Sequence, residues 1–415
     1  MIQEPSNNKI NFYVGEAFKN DSRFLDFIAD QYKENLYPFS EDAVNFVNDF
    51  AKSILLDRNA RIFPELIVMA NFFKKQTIKS EITKHHESSN NCIYKPLGST
   101  FHIAPSNVDT IFLYSSLIAL LCGNYCFIRI SEKINPQVTF ALEKLNKILL
   151  KNKKFKKRLI IFNYDHNKHI TDRISESVDA RIIWGGDESV FRIRKSPLSP
   201  LARDIAFPNR FSFSIINSKR VNESLDYLPE LTNLFIKDTI IFSQQACSSP
   251  RSVVWVGSKK DNHAARNRFW KEYEMQIKSV DHENSEGMVM DRFVATSFFS
   301  SLNLGALTSS YTEVGSKMDV FSLDSPHFRT HHPGNGLFLE LELKSLKQLS
   351  SFLNSKDQTI SHYGFSQASL ELFIKSIQNR SIDRVLPIGK ALSFTSVWDG
   401  YDLYEVFTRK VLLSN

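Results

Sequence analysis

The run TIFLYSSLIALLCGNYCFI, residues 110–128, contains no charged side chain. So apolar a stretch has to be buried, in protein or in lipid, and it narrows the fold more than any other segment. Its length approaches that of a membrane span. Gly123-Asn124 divides it, however, into a helix-like piece and YCFIRI, which has the aromatic and β-branched content of a strand. A buried helix feeding a buried parallel strand accounts for the run better than a transmembrane segment does.

The surrounding sequence repeats this alternation. FHIAPSN reads as a strand entering a loop, 135–151 as a helix, RLIIFNY as a strand, 168–177 as a short helix, and ARIIWGG and FSFSIIN as strands. Apolar strands separated by helices predict an α/β fold with a doubly wound parallel sheet. Residues 1–95 read as mostly helical, with SRFLDFIADQYKENL and EDAVNFVNDFAKSILL spaced in threes and fours. From about 219 the pattern restarts: a helix in ESLDYLPELTNLFIKDTI, the segment FSQQACSSP, the strand SVVWVG, then GLFLELEL, SLKQLSSFLN and QASLELFIKSIQ. The expected organisation is N-terminal helices with a nucleotide-binding domain over 1–218, a second α/β domain over 219–378 and a C-terminal segment over 379–415. Segments 283–287 and 326–336 read as loops at mobile edges.

Composition excludes several classes. Hydrophobic content of 42% and charged content of 23% are those of a soluble globular protein. Four scattered cysteines, with no CxxC pair, argue against a disulfide framework and for a reducing, cytoplasmic setting. The polar start MIQEPSNNKINFYVGE lacks the features of a signal peptide. Of the net charge of +7, much of the local excess sits in KNKKFKKR, 151–158, which reads as a solvated helix end. Basic runs interleaved with aromatics are missing, so no nucleic acid is expected; an acidic partner or the phosphates of a cofactor stay open. His85-His86, His166-His169 and His331-His332 lack ligand spacing, so no metal is expected.

Several residues carry candidate chemistry, each with a plainer reading beside it. Cys247 in FSQQACSSP is a nucleophile or a small buried apolar residue. Asn107, at the end of FHIAPSN, can donate to an oxyanion or cap the following helix. Arg129 and Ser131 stand at a strand end, where a ribose or phosphate contact and ordinary strand-end polarity are both at home. Neither GxGxxG nor GxSxG occurs. Instead Trp184, Gly185 and Gly186 end a strand just before a helix, which suits a close phosphate or a plain tight turn.

Read in order, HIAPSNVD, ALLCGNYCFIRISEK, DARIIWGGDES, DIAFPNRFSFSIIN and DTIIFSQQACSSP resemble the acyl-CoA reductases of the LuxC type, the fatty acyl reductases of bacterial luminescence and their relatives. These belong to the aldehyde dehydrogenase superfamily. The tail VLPIGKALSFTSVWDGYDLYEVFTRKVLL is similar to the family's closing segment, and the likeness covers roughly residues 95–415. It implies an aldehyde dehydrogenase-like fold, with a cofactor domain and a second catalytic domain. By the same resemblance Cys247 is the catalytic cysteine and Asn107 forms the oxyanion hole with the cysteine's backbone N–H. Arg129 takes the place of a lysine that contacts the adenosine ribose or its 2′-phosphate. Gly186 falls where a glycine and helix N-terminus meet the pyrophosphate, beside Trp184, Gly185 and Ser131.

The implied activity is reduction of an acyl thioester, acyl-CoA or acyl-protein, to an aldehyde through an acyl-enzyme. NADPH is the implied cofactor, with NADH as an alternative, beside an acyl-protein synthetase partner and a homo-oligomer that pairs through the terminal strand. Two departures matter. The general-base glutamate of hydrolytic aldehyde dehydrogenases has no counterpart in AFPNR, 206–210, which fits thioester reduction better than aldehyde oxidation. The family's Gly-Asn-Val-Pro is Ser106-Asn107-Val108-Asp109, which puts the usual fatty acyl substrate in question. A cysteine acyltransferase or thioesterase without hydride transfer, and a non-catalytic partner in an acyl-activating complex, are the other readings.

Overall fold

The structure, a computed structural model, describes residues 10–30, 34, 36–87, 92–104, 110–280, 285–310, 318–324, 329 and 332–414, with the backbone alone at 85–87 and 308–310. The chain forms two compact units, one of residues 1–209 with 394–415 and the other of 210–393.

The first unit is built on six strands: β1 (Asn11–Val14), β2 (Ser99–Ile103), β3 (Tyr125–Arg129), β4 (Leu159–Asn163), β5 (Ala180–Trp184) and β6 (Arg203–Phe207). Their order is β1-β4-β3-β2-β5-β6. All neighbours run parallel except β1, which pairs antiparallel on the edge of β4. β1 departs from the helical reading of 1–95. Its partners on β4, Asn11 to Asn163 and Phe12 to Phe162, lie far away in sequence, so local periodicity does not reveal them. The helix read in SRFLDFIADQYKENL is shorter than expected, Asp21–Ala29, and Asn20 caps its start.

The uncharged run resolves into α1 (Ile111–Leu121), a turn at Gly123 and strand β3. All eleven residues of α1 are buried. It packs against β2 and β3 and is covered by helices Glu41–Leu55 and Leu403–Val406. That cover explains why no face of α1 carries a charged residue. No helix among the described residues is long and apolar enough to cross a membrane. On the other face of the sheet a core of Phe24, Phe101, Phe127, Phe162 and Tyr164 is closed by helices Asp21–Ala29 and Lys168–Ser177.

The second unit holds seven strands: β7 (Phe211–Asn217), β8 (Ser252–Val256), β9 (Gly305–Ser310), β10 (Asp319–Leu323), β11 (Leu337–Leu343), β12 (Asp357–Tyr363) and β13 (Arg384–Pro387). Their order is β9-β10-β11-β8-β7-β12-β13, parallel throughout except for β9. FSFSIIN, read with the first domain, is therefore a central strand of the second sheet, joined to β6 by residues 208–210. Apolar cores lie on both faces, one around Phe299, Phe321, Leu339 and Ile360, the other around Phe235, Trp255, Trp270 and Phe338. Residues 286–287, read as loop, open the helix Glu286–Ser301, with Ser285 as its cap. SLKQLSSFLN supplies only a short helix, Leu346–Ser350.

Candidate active site

In the first sheet the strand order reverses beside β2, because β3 and β4 extend one way and β5 and β6 the other. Such a switch point leaves a crevice at the carboxyl ends of the strands. The end of β2 with Ala104, the end of β3 and the Gly185-Gly186 segment after β5 all lie at this edge. Ala104 donates its N–H to the Arg129 carbonyl at 3.0 Å, which fixes two of them together. Asn107, Ser106 and Asp109 lie outside the described residues.

Arg129 is half-buried, and its side chain is anchored. The guanidinium lies 4.6 Å from the ring centroid of Tyr164 and Nη2 donates to the Tyr164 carbonyl at 3.2 Å. Its Nε is buried without a hydrogen-bond partner. Ser131 sits in the turn beyond, where its Oγ accepts from Lys133 N–H at 3.3 Å. Trp184 is nearly buried. Its ring stacks on Phe207 at 3.9 Å and its Nε1 donates to Ser115 Oγ at 3.1 Å. That serine, on α1, also bonds His102 Nδ1 at 2.9 Å. Burial pushes His102 down to about 3, so the ring is neutral. Trp184 is thus a fixed floor of this edge.

Gly186 caps α2 (Asp187–Arg194) with no side-chain bond to the helix. A Cβ at Gly185 would come no closer than 3.5 Å to Ser189, and one at Gly186 no closer than 3.6 Å to Asn209. Crowding within the protein therefore does not demand these glycines; Gly185 is required by its φ of 159°, and both leave room before a helix N-terminus. Asp187 and Glu188 in the first turn already complement the helix dipole. They oppose a phosphate seated on the helix axis, so Arg129 is the stronger anion candidate.

Cys247 lies in the second unit, in a turn between α3 (Leu228–Ile240) and β8. Its residue is half-buried. The loop that carries it is tied down from both sides. Ser212 on β7 donates Oγ to the Cys247 carbonyl at 2.5 Å, and its own carbonyl accepts from Arg251 N–H at 3.0 Å. Ser243 and Gln244 both adopt left-handed backbone, with φ of 46° and 58°. Gln244 stays there because its surroundings hold it. Its Nε2 donates to the carbonyls of Pro250 and Leu337, each at 3.1 Å, and its Oε1 accepts from Gly336 N–H at 2.8 Å. Strained backbone of this kind persists only where contacts over-determine it, and it gathers at functional sites.

Three further residues complete the loop; from sequence only His332 was considered, in a histidine pair read as loop residues, and none was read as part of this site. Arg251 donates Nε to the Gln244 carbonyl at 3.0 Å. His332 bonds the Arg251 carbonyl through Nε2 at 3.0 Å and takes Gly334 N–H on Nδ1 at 3.0 Å. Burial, then the Arg251 charge, push His332 down to about 3. Asn335 donates N–H to the Ser243 carbonyl at 2.9 Å, and its own carbonyl accepts from Arg292 at 2.7 Å.

The other thiols differ. Burial raises Cys122 well above its usual value and Cys126 to about 12, so neither ionises readily. Cys92 stands on a two-stranded ribbon, Cys92–Pro96 paired with Thr408–Leu412. Among the described residues no group of three or more His, Cys, Asp or Glu side chains is gathered to hold a metal.

Two parallel-sheet units with this topology define an aldehyde dehydrogenase-like fold. Solved structures similar over nearly the whole chain include an NAD-dependent aldehyde dehydrogenase from Sinorhizobium meliloti, with a TM-score of 0.69 at 11% identity, covering 97% of this chain and 90% of that one. Another is the glyceraldehyde-3-phosphate dehydrogenase GapN from Methanocaldococcus jannaschii complexed with NADP, with a TM-score of 0.66 at 14% identity and 99% of each chain covered. At these identities the likeness shows the fold alone. The family model for acyl-CoA reductase (LuxC) matches residues 39–270, more than half of the chain. The chain belongs to that family. A curated relative, the long-chain acyl-protein thioester reductase of Aliivibrio fischeri, is 24% identical over 302 residues, or 71% of this chain. The match spans 59% of that protein's own length.

Proposed function

We propose that the protein reduces an acyl thioester, acyl-CoA or acyl-protein, to an aldehyde, with Cys247 as the acyl-accepting nucleophile and NADPH as the reductant. The observation that carries this reading is the Cys247 loop: a half-buried thiol on a turn locked by Ser212 and Gln244, in a chain of the LuxC family. The first unit then serves as the cofactor unit and the second as the catalytic unit. The relative's description as an acyl-protein thioester reductase supports a carrier-bound acyl group, and the family's description as acyl-CoA reductase supports a CoA ester.

The cofactor residues fit a dinucleotide. Arg129, with a buried Nε that lacks a partner, suits an adenosine 2′-phosphate; Gly185 and Gly186 leave room for a pyrophosphate, with Ser131 beside them and Trp184 as floor. Bound there, the reduced nicotinamide supplies hydride. The protein's own part begins with the Cys247 thiolate, which attacks the thioester carbonyl while Asn107 and the cysteine's backbone N–H hold the developing oxyanion. The CoA or carrier thiol leaves and an acyl group stays on Cys247. After reduction the thiohemiacetal on Cys247 collapses, returning the thiol and releasing aldehyde. No carboxylate occurs at 206–210 to activate water against the acyl-enzyme.

A cysteine acyltransferase or thioesterase would call on a general base beside the thiol. His332, the histidine bonded into this loop, has both ring nitrogens engaged and stays neutral. That favours the reductase. The terminal ribbon, with Ile93 and Leu412 exposed, is the surface we assign to a homo-oligomer contact.

Intact mass measured after incubation with a panel of acyl-CoAs, before and after adding NADPH, tests the reading. An acyl adduct should form on the wild type, vanish with NADPH as aldehyde appears, and fail to form on Cys247→Ala. An adduct on that variant, or one lost equally fast without NADPH, overturns it.

A further inference from the structure

We propose that Arg251 is a positioning residue that holds the Cys247 thiol as thiolate, its guanidinium acting as the counter-ion of the nucleophile. The inference rests on the reading of Cys247 as nucleophile and adds the group that activates it.

The geometry comes first. Arg251 follows Cys247 by four residues, and Ser212 folds the intervening chain back by bonding the carbonyl at one end and the N–H at the other. The side chain turns towards the start of the same loop, where Nε meets the Gln244 carbonyl at 3.0 Å. The guanidinium is thereby confined to the loop that carries the thiol. Among the described residues no carboxylate forms an ion pair with it. A cation half withdrawn from water, with one carbonyl and, among the described residues, no carboxylate partner, is electrostatically incomplete.

The charged and titratable groups bonded into this loop are few. His332 packs on the Arg251 backbone, but its ring is neutral and adds no charge. Among the described residues, the ionisable group in this loop left to balance Arg251 is Cys247. Burial weakens the Arg251 charge, and a negative charge at Cys247 strengthens it. Such coupling is reciprocal, so the cation favours the thiolate in turn. A cationic neighbour is a recognised way to bring a thiol's ionisation towards neutral pH.

The test is the pH profile of alkylation at Cys247, resolved from the other cysteines by peptide mass, in the full chain. Wild type should show a midpoint below that of a free thiol, about 8.5. Arg251→Met should raise the midpoint by about one unit, which slows alkylation near pH 7 about tenfold. Arg251→Lys, which keeps the charge, should recover most of that loss, and Arg251→Gln replaces the methionine variant if that one does not fold. Acylation of Arg251→Met should return to nearly the wild-type rate at pH 9.5, where the thiolate forms unaided. An unchanged midpoint in a folded neutral variant, or a wild-type midpoint at or above the free-thiol value, overturns the proposal. Failure of the wild type to acylate at any pH would instead overturn the reductase reading, since the alkylation profile still reports on Arg251.

Discussion

Gln244→Ala offers the sharpest test of how the nucleophile loop is held. The substitution removes three side-chain hydrogen bonds at a residue 1% exposed. It leaves the Pro250 and Leu337 carbonyls and the Gly336 N–H without their partner. Each orphaned buried group costs about 1–3 kcal/mol. Partial relaxation and water entry favour the lower end, so the total is about 3–4 kcal/mol. The left-handed φ is unchanged by the substitution, so its strain cancels. Hydrogen exchange by mass spectrometry, on peptides covering 243–256 and 334–343, reads the local opening directly. With every 1.4 kcal/mol a factor of ten, exchange there should accelerate about a hundredfold or more. Peptides from the first unit should be unaffected. Acceleration below about fivefold in both segments would show that the side chain does not staple these loops together, and the account of a locked nucleophile would fall with it.

Two other outcomes follow from particular side chains. Asp238 on α3 accepts N–H groups from Gly389 at 2.6 Å and Ala391 at 3.0 Å, yet burial raises it to about 7. Its folded value lies above the unfolded one of about 3.9, so its contribution to stability is full below pH 4 and is lost as pH rises through 7. Thermal melts of the second unit should fall between pH 4 and 8, and Asp238→Asn should flatten that slope; an equal slope in both refutes the assignment. Arg129→Ala should raise the KM for NADPH about tenfold, the scale of one charge-assisted contact, while leaving NADH little changed. Equal effects on both cofactors would remove the 2′-phosphate from the account.

Much of the fold was legible because it is written locally. The alternation of apolar strands and helices, the buried helix 111–121 and the Gly185-Gly186 turn each depend on residues close in sequence. β1 was missed because a short edge strand is defined by its partner, and Asn11 finds Asn163 only in the folded sheet. Phe211–Asn217 was placed with the wrong sheet for a similar reason: nothing in FSFSIIN distinguishes one buried parallel sheet from another. Cys247 was legible as a candidate from its neighbours in order along the chain. The groups that hold it were not, since Gln244 bonds Leu337 and His332 bonds Arg251 across long loops. A histidine pair in a loop gave no hint that one of its rings would be closed off by backbone.

The first unit is completed by its last residues. Arg203 on β6 donates to the carbonyls of Glu405, Val406 and Thr408, and Asn124, in the turn after α1, donates to that of Phe407. Tyr114, deep in α1, bonds the Thr395 carbonyl. During synthesis these donors emerge about two hundred residues or more before their acceptors, and the whole second unit is made in between. The inserted unit can therefore close on itself while its host is still open. The order of assembly on the ribosome is then the reverse of the order of the sheets in the sequence, and α1, uncharged along its whole length, is left waiting for the C-terminal half of its cover.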